Sequence, residues 1–200
     1  MPKFPLIPTI IVAAAIATMV ALGFWQLGRM DEKEALIARF EANASNPAVT
    51  ELRVANSDLV YRTVRLDCRQ PEAWQAVAGR SVTGQSGYVH RFACGIVPRT
   101  TGFDDGGSSL LYADIGWSQG PEQPEFAGGE VIGTLVGLGD DFKVVAHEPL
   151  SGLQAIARPD PNDMPNNHLA YAGQWFFFAL TALVIYILAL KRQQAARRDD

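Results

Sequence analysis

Two cysteines and three histidines are all the thiolate and imidazole ligands that 200 residues offer. Cys68 and Cys94 stand too far apart for a CxxC or CxxxC pair, the spacing of a copper or zinc clamp. His90, His147 and His168 form neither HxxxH nor HExxH, and GxSxG, a P-loop and CxxCH are missing too. Serines and carboxylates follow no catalytic order, so an enzyme reading has no constellation to rest on. Positive charge is scarce: 17 Lys and Arg against 21 Asp and Glu give a net −4. No segment joins clustered basic residues to interleaved aromatics, which argues against nucleic acid as a partner. Asp104-Asp105-Gly106-Gly107 reads as a turn, because it lacks the spaced oxygen ligands of a calcium loop.

What the chain does have is two long apolar runs. From Leu6 to Leu27 the only polar side chains are Thr9, Thr18 and Gln26. From Trp175 to Leu190 there are only Thr181 and the hydroxyl of Tyr186. A helix crosses the hydrocarbon core with about 20 apolar residues. The first run meets that alone, and the second does once Ala170 to Gln174 are added. The sequence thus predicts an α+β membrane protein: a first transmembrane helix over 6–28, a membrane-proximal helix over 29–44, a β-rich domain over 45–165, a second transmembrane helix over 169–190 and a basic tail over 191–200. A cleaved signal peptide is the competing reading of the first run, with small-x-small triplets such as Ala15-Ile16-Ala17. Its length, and the helix formers that continue past Gly23 with Leu36, Ile37 and Phe40 on one face, favour an uncleaved span.

Charge sets the expected orientation. Lys191, Arg192, Arg197 and Arg198 follow the second span, whereas Ser151 to Ala170 carries only Arg158. The positive-inside rule places that tail, and with two spans both termini, in the cytoplasm. The first span disagrees locally, with Arg29, Lys33 and Arg39 after it against Lys3 before it. The second signal is stronger, so the middle domain is expected outside. Without an Arg- and Ser-rich transit sequence, a bacterial inner membrane is the expected location.

Between the spans the chain reads as β. Ala44 to Ser57 is a linker around Ser45-Asn46-Pro47. Tyr61 to Cys68 alternates, with Val64, Leu66 and Cys68 on one face. Gly87–Val97, Ser109–Trp117 and Val131–Leu138 are further strands, separated by turns at Gly102, Gly106-Gly107, Gly120-Pro121, Gly128-Gly129 and Gly139. No stretch from Tyr61 to Pro149 has a helical period. This spacing suggests a compact antiparallel barrel or sandwich. Three prolines between Pro159 and Pro165 lead stiffly to the second span. The cysteines are either two buried thiols or one disulfide, which an oxidising compartment permits. His90 and His147 read as ordinary surface residues.

His168 differs by position. At about 1.5 Å per residue it stands roughly 33 Å from Leu190, at the rim of the hydrocarbon. At helical spacing from it lie Tyr171, Ala172, Trp175, Ala179, Ala182 and Tyr186, a stripe of aromatic and small side chains. Two readings stay open. The imidazole is an axial ligand to a haem iron against an aromatic wall, or it belongs to an interfacial helix end whose Tyr and Trp are membrane anchors. Trp25 and Arg29 close the first span similarly. Arg29 either pairs with a carboxylate such as a haem propionate or snorkels.

Four separated segments resemble the Surf1 family of cytochrome c oxidase assembly factors. Gly23-Phe24-Trp25-Gln26-Leu27-Gly28-Arg29 is similar to its Gly-x-Trp-Gln-Leu-x-Arg segment, and Tyr61-Arg62-Thr63-Val64 to its Tyr-Arg-Pro-Val strand. Leu111 to Trp117 stands where the family has an Asn-Arg-Gly-Trp strand end, with Asp114-Ile115 in place of Asn-Arg. His168-Leu169-Ala170-Tyr171-Ala172 with Trp175-Phe176 resembles its His-x-x-Tyr-Ala-x-x-Trp-Phe start of the second span. The resemblance implies a non-enzymatic factor that receives haem a and passes it to subunit I of the oxidase. His168 would ligate the iron, Tyr171 and Trp175 would form the wall, and Trp25 and Arg29 would assist. It implies subunit I, haem a synthase and membrane lipid as partners. The alternative is a cofactor-free scaffold that steadies an oxidase intermediate. A membrane-tethered sensor would need a cytoplasmic output domain, which the short tail does not supply.

Overall fold

The computed structural model describes residues 5–49, 52, 55–98 and 107–199. Lys3, Gly102 and the Asp104-Asp105-Gly106 turn lie outside the described residues. By its internal contacts the chain divides into two units, Met1–Leu36 with Pro165–Asp200, and Ile37–Met164.

The first unit is made from two helices. Helix α1 runs over Leu6–Ser45 without a break, so the first span and the membrane-proximal helix are one element. Helix α2 runs over His168–Asp199 and takes in most of the basic tail. Both are long and apolar enough to cross a membrane, and almost none of either apolar stretch is buried within the protein. A core helix of a water-soluble protein would bury such a face, so this apolar surface is matched to lipid. The two helices are transmembrane segments flanking a β domain.

The polar groups inside the spans are paired, as hydrocarbon demands. Thr9 Oγ1 lies 2.6 Å from Tyr186 Oη, joining α1 to α2. Thr18 Oγ1 donates to Ala14 O at 2.9 Å and Thr181 Oγ1 to Phe177 O at 2.8 Å. Gln26 reaches His168.

The second unit holds six strands: β1 (Thr63–Cys68), β2 (Glu72–Arg80), β3 (Ser86–Pro98), β4 (Ser108–Ser118), β5 (Gly129–Leu138) and β6 (Asp141–Ala146). They form one sheet in the order β1-β5-β6-β4-β3-β2. Every pairing is antiparallel except β4 with β6, which run parallel from Leu111↔Phe142 to Asp114↔Val145. Four of the strands fall where the alternation puts them, and β2 and β6 are additional. In β1, Val64, Leu66 and Cys68 point inward as the period of two requires. They pack in a core with Leu111 and Ile115 of β4, Val131 and Leu135 of β5 and Val144 of β6, all nearly inaccessible to solvent.

Cys68 and Cys94 are bonded. Cys68 ends β1, whereas Cys94 sits inside β3 at a bulge between Ala93 and Gly95. In the sheet order β1 and β3 are four steps apart, which would be roughly 19 Å in a flat sheet at about 4.8 Å per strand. Their Cα atoms are 4.8 Å apart. The sheet is therefore curled until β1 returns onto β3, the barrel-like geometry expected of this spacing.

The end of α1 belongs to this unit. Phe40 is buried and its ring meets Tyr61 at 4.9 Å. Asn43 Nδ2 donates to Asp58 O at 2.7 Å and to Val60 O at 2.8 Å. Asn162, in a short 3-10 turn over Pro161–Asp163, donates to Glu41 Oε1 at 2.9 Å. Tyr61 itself adopts φ 66°, unusual for a bulky residue. It is held there by its N–H to Leu135 O at 2.8 Å and by the Phe40 ring. Burial, then Asp160 and Asp163, push its phenol upward from 10.0.

Candidate functional site

The residues singled out in the spans separate onto different faces. On α1, Gly23 is buried and Gln26 half-buried, while Trp25 is 57% exposed. The reason is the helical step: Gly23 and Gln26 are three apart, and Trp25 and Arg29 are four apart on another side. On α2, Ala172 and Ala179 are buried, Trp175 is half-buried and Tyr171 is 52% exposed. The stripe drawn from His168 is thus split. Its small residues face inward, and Tyr171 faces out.

Close approach of the two helices is set by Gly23. A Cβ there would lie 2.5 Å from the Phe176 ring, inside contact distance, so only glycine fits against that ring as it stands. Phe24 meets Phe176 edge-on at 5.4 Å. One turn further along α1, Gln26 Oε1 lies 2.7 Å from Nδ1 of His168, the first residue of α2. An amide oxygen only accepts, so the Nδ1 carries the proton. That tautomer leaves Nε2 with its lone pair, the atom that binds a metal when the other ring nitrogen is held in this way.

The other residues of the expected site take separate places. Arg29 is paired with Glu32 on its own helix. Trp175 packs edge-on to Phe178 at 6.3 Å. Trp25 presents its ring outward. Only Gln26 is brought onto His168 by a described hydrogen bond. The site reading by sequence passed over Gln26, although its position as one of three polar residues in an apolar run was a signal.

His90 corrects its reading as a surface residue: it is fully buried in β3. Ser118 Oγ donates to Gly120 O at 2.7 Å, so it accepts Nε2–H of His90, also at 2.7 Å. The ring stacks on Trp74 with centroids 6.1 Å apart. Burial lowers its pKa from 6.5, partly opposed by Glu122. His147 is half-buried, with Nε2 2.9 Å from Thr134 Oγ1. Its pKa is lowered by burial and then by Arg158, against Glu148.

Two membrane helices joined through a histidine and a glutamine, with a curled, disulfide-closed sheet domain between them in the sequence, define a membrane-anchored protein with a β domain outside its spans. The model of the SURF1 family matches residues 13–141. A SURF1-like protein from Rickettsia felis is 23% identical, over 90% of this chain and 95% of its own length. The chain belongs to the SURF1 family. That family is generally linked to cytochrome oxidase assembly and is not a known class of enzyme.

Proposed function

We propose that this protein serves assembly of a haem-copper cytochrome c oxidase by holding haem a through His168 and delivering it to subunit I. The observation that carries the reading is the bond from His168 Nδ1 to Gln26. It orients the ring, fixes the tautomer and directs the ligating Nε2 away from the amide. His168 would hold the iron of a bound haem through its free Nε2. Trp175, about two turns along α2, and the exposed Tyr171 supply aromatic surface near that end of the helix. Arg29 and Trp25 would engage the macrocycle's carboxylates and edge. Arg29 would then exchange its Glu32 partner for a propionate, a swap between two exposed ion pairs of small cost.

The proposal places the protein in a bacterial inner membrane, both termini cytoplasmic and the β domain periplasmic. The Cys68–Cys94 bond supports an oxidising side for that domain, and the basic end of α2 supports a cytoplasmic tail. Haem a synthase as donor, subunit I as acceptor and membrane lipid complete its partners.

A cofactor-free scaffold is favoured by one observation: the His168–Gln26 bond also ties α1 to α2. Purification of the full chain from cells that make haem a separates the two. The haem-carrier reading expects a Soret band that His168→Ala abolishes while the protein stays folded by circular dichroism. A wild-type preparation without haem, or a variant that keeps it, rejects the carrier.

A further inference from the structure

We infer that the β domain has a second binding site, a small pocket for a carboxylate on a short apolar stem, built around Arg91, Asp114 and Lys143. Asp114 is 1% exposed in the middle of β4. Arg91 of β3 grips it with two bonds, Nε to Oδ1 at 2.6 Å and Nη2 to Oδ2 at 3.0 Å. Lys143 of β6 donates to the same Oδ2 at 2.9 Å. The antiparallel β3–β4 pairing sets Arg91 opposite Asp114, and in the parallel β4–β6 pairing Lys143 sits opposite Tyr112, two positions before Asp114 on the same face, from which it reaches the carboxylate.

Two cations thus share one carboxylate. The excess positive charge is largely removed from solvent, Arg91 at 8% and Lys143 at 23% side-chain exposure. A buried charge without its counterion is costly, and a bound anion is the simplest relief. The cluster does not sit in closed packing: Arg91, Asp114 and Lys143 line a cavity of about 200 Å³. Arg80 adds a third cation to the lining, and Asp114 is its one carboxylate. The remaining wall is largely apolar, with Val77, Val89, Val145 and Ile156. Guanidinium geometry suits a planar carboxylate, and the apolar wall suits a hydrocarbon stem rather than a free, fully hydrated inorganic anion. The volume is below that of a drug-sized ligand site, so the stem is short.

The test is the thermal midpoint of the full chain in neutral detergent at constant ionic strength, titrated with butyrate, inorganic phosphate or chloride. The site predicts a saturable rise with butyrate that exceeds those with phosphate and chloride. Lys143→Gln should abolish the butyrate rise. Arg80→Gln, at the exposed rim, should weaken it at least several-fold; it removes only an exposed bond to Gly84 O at 3.1 Å, so this variant stays folded and keeps the test valid if the Lys143 variant is unstable. Equal rises for all three anions would mean screening only and overturn the site. A rise with phosphate as large as with butyrate overturns the assignment to a carboxylate, and a butyrate rise unchanged in Arg80→Gln overturns the pocket as its location.

Discussion

The imidazole of His168 and the side-chain amide of Gln26 lie 2.7 Å apart, although 142 positions separate them in the chain. In the proposed haem site Gln26 would therefore tune the ligating nitrogen without touching the ligand itself. Gln26→Leu should weaken haem a binding by about 10- to 100-fold, the usual scale for loss of a partner that orients a ligating histidine. Spectrophotometric titration of the purified variant measures this. Affinity equal to wild type would remove Gln26 from the site.

Gly23 sets how closely α1 and α2 approach, because the Phe176 ring occupies the space of a Cβ. Gly23→Leu should overpack this contact at a cost of about 1–3 kcal/mol. The thermal midpoint of the full chain in neutral detergent measures this, and a midpoint equal to the parent's would show that the Phe176 ring moves aside without cost.

The Cys68–Cys94 bond closes a segment with a sequence separation of 26. Cross-linking a loop of this size limits the unfolded chain by about 3 kcal/mol. Replacing both cysteines by serine should lower the thermal midpoint by several degrees, and a reducing agent should do the same to the parent. A midpoint indifferent to reduction would show that the curl of the sheet stands without its bond.

Stability should rise with pH through the range just below neutrality. His90 and His147 both have pKa values below 6.5 in the folded protein. As pH falls through 6.5 the unfolded chain takes up their protons first, so it binds more protons than the folded state in that window. Their contribution is complete above 6.5 and is lost as pH drops from there toward the lowered folded values. Denaturant midpoints at pH 7.5 and 5 measure this, and His90→Gln should flatten the dependence. The same slope in that variant would assign the effect elsewhere.

The apolar runs and the alternation in β1 were legible because each carries a strong period over many residues. Hydrocarbon leaves few ways to place residues 6–27, and Val64, Leu66 and Cys68 announce their buried face directly. β2 was hidden by its composition: Ala73, Ala76, Ala78 and Gly79 have weak strand preference, and most of its side chains are not buried. β6, no shorter than β1, was hidden by Asp141 and Lys143, whose charges break the apolar pattern, and by the adjacent Val144, Val145 and Ala146, all buried, which do not alternate. The partners of Asp114 were equally out of reach. The exchange of Asn-Arg for Asp114-Ile115 marked the position, but not that Arg91 and Lys143 arrive from neighbouring strands. Local sequence shows which way a side chain faces, whereas the neighbour it finds is decided by strand order.

That order has a cost in time. The final strand made by the ribosome, β6, is the seam between β1-β5 and β4-β3-β2. Until residue 146 is available, those two groups have no shared ladder, and only the Cys68–Cys94 bond between β1 and β3 can link them. Such distant pairings make slow folders, so this domain should emerge as halves awaiting a zipper. Truncation just before β6 should leave both halves open to proteolysis instead of yielding a smaller stable core.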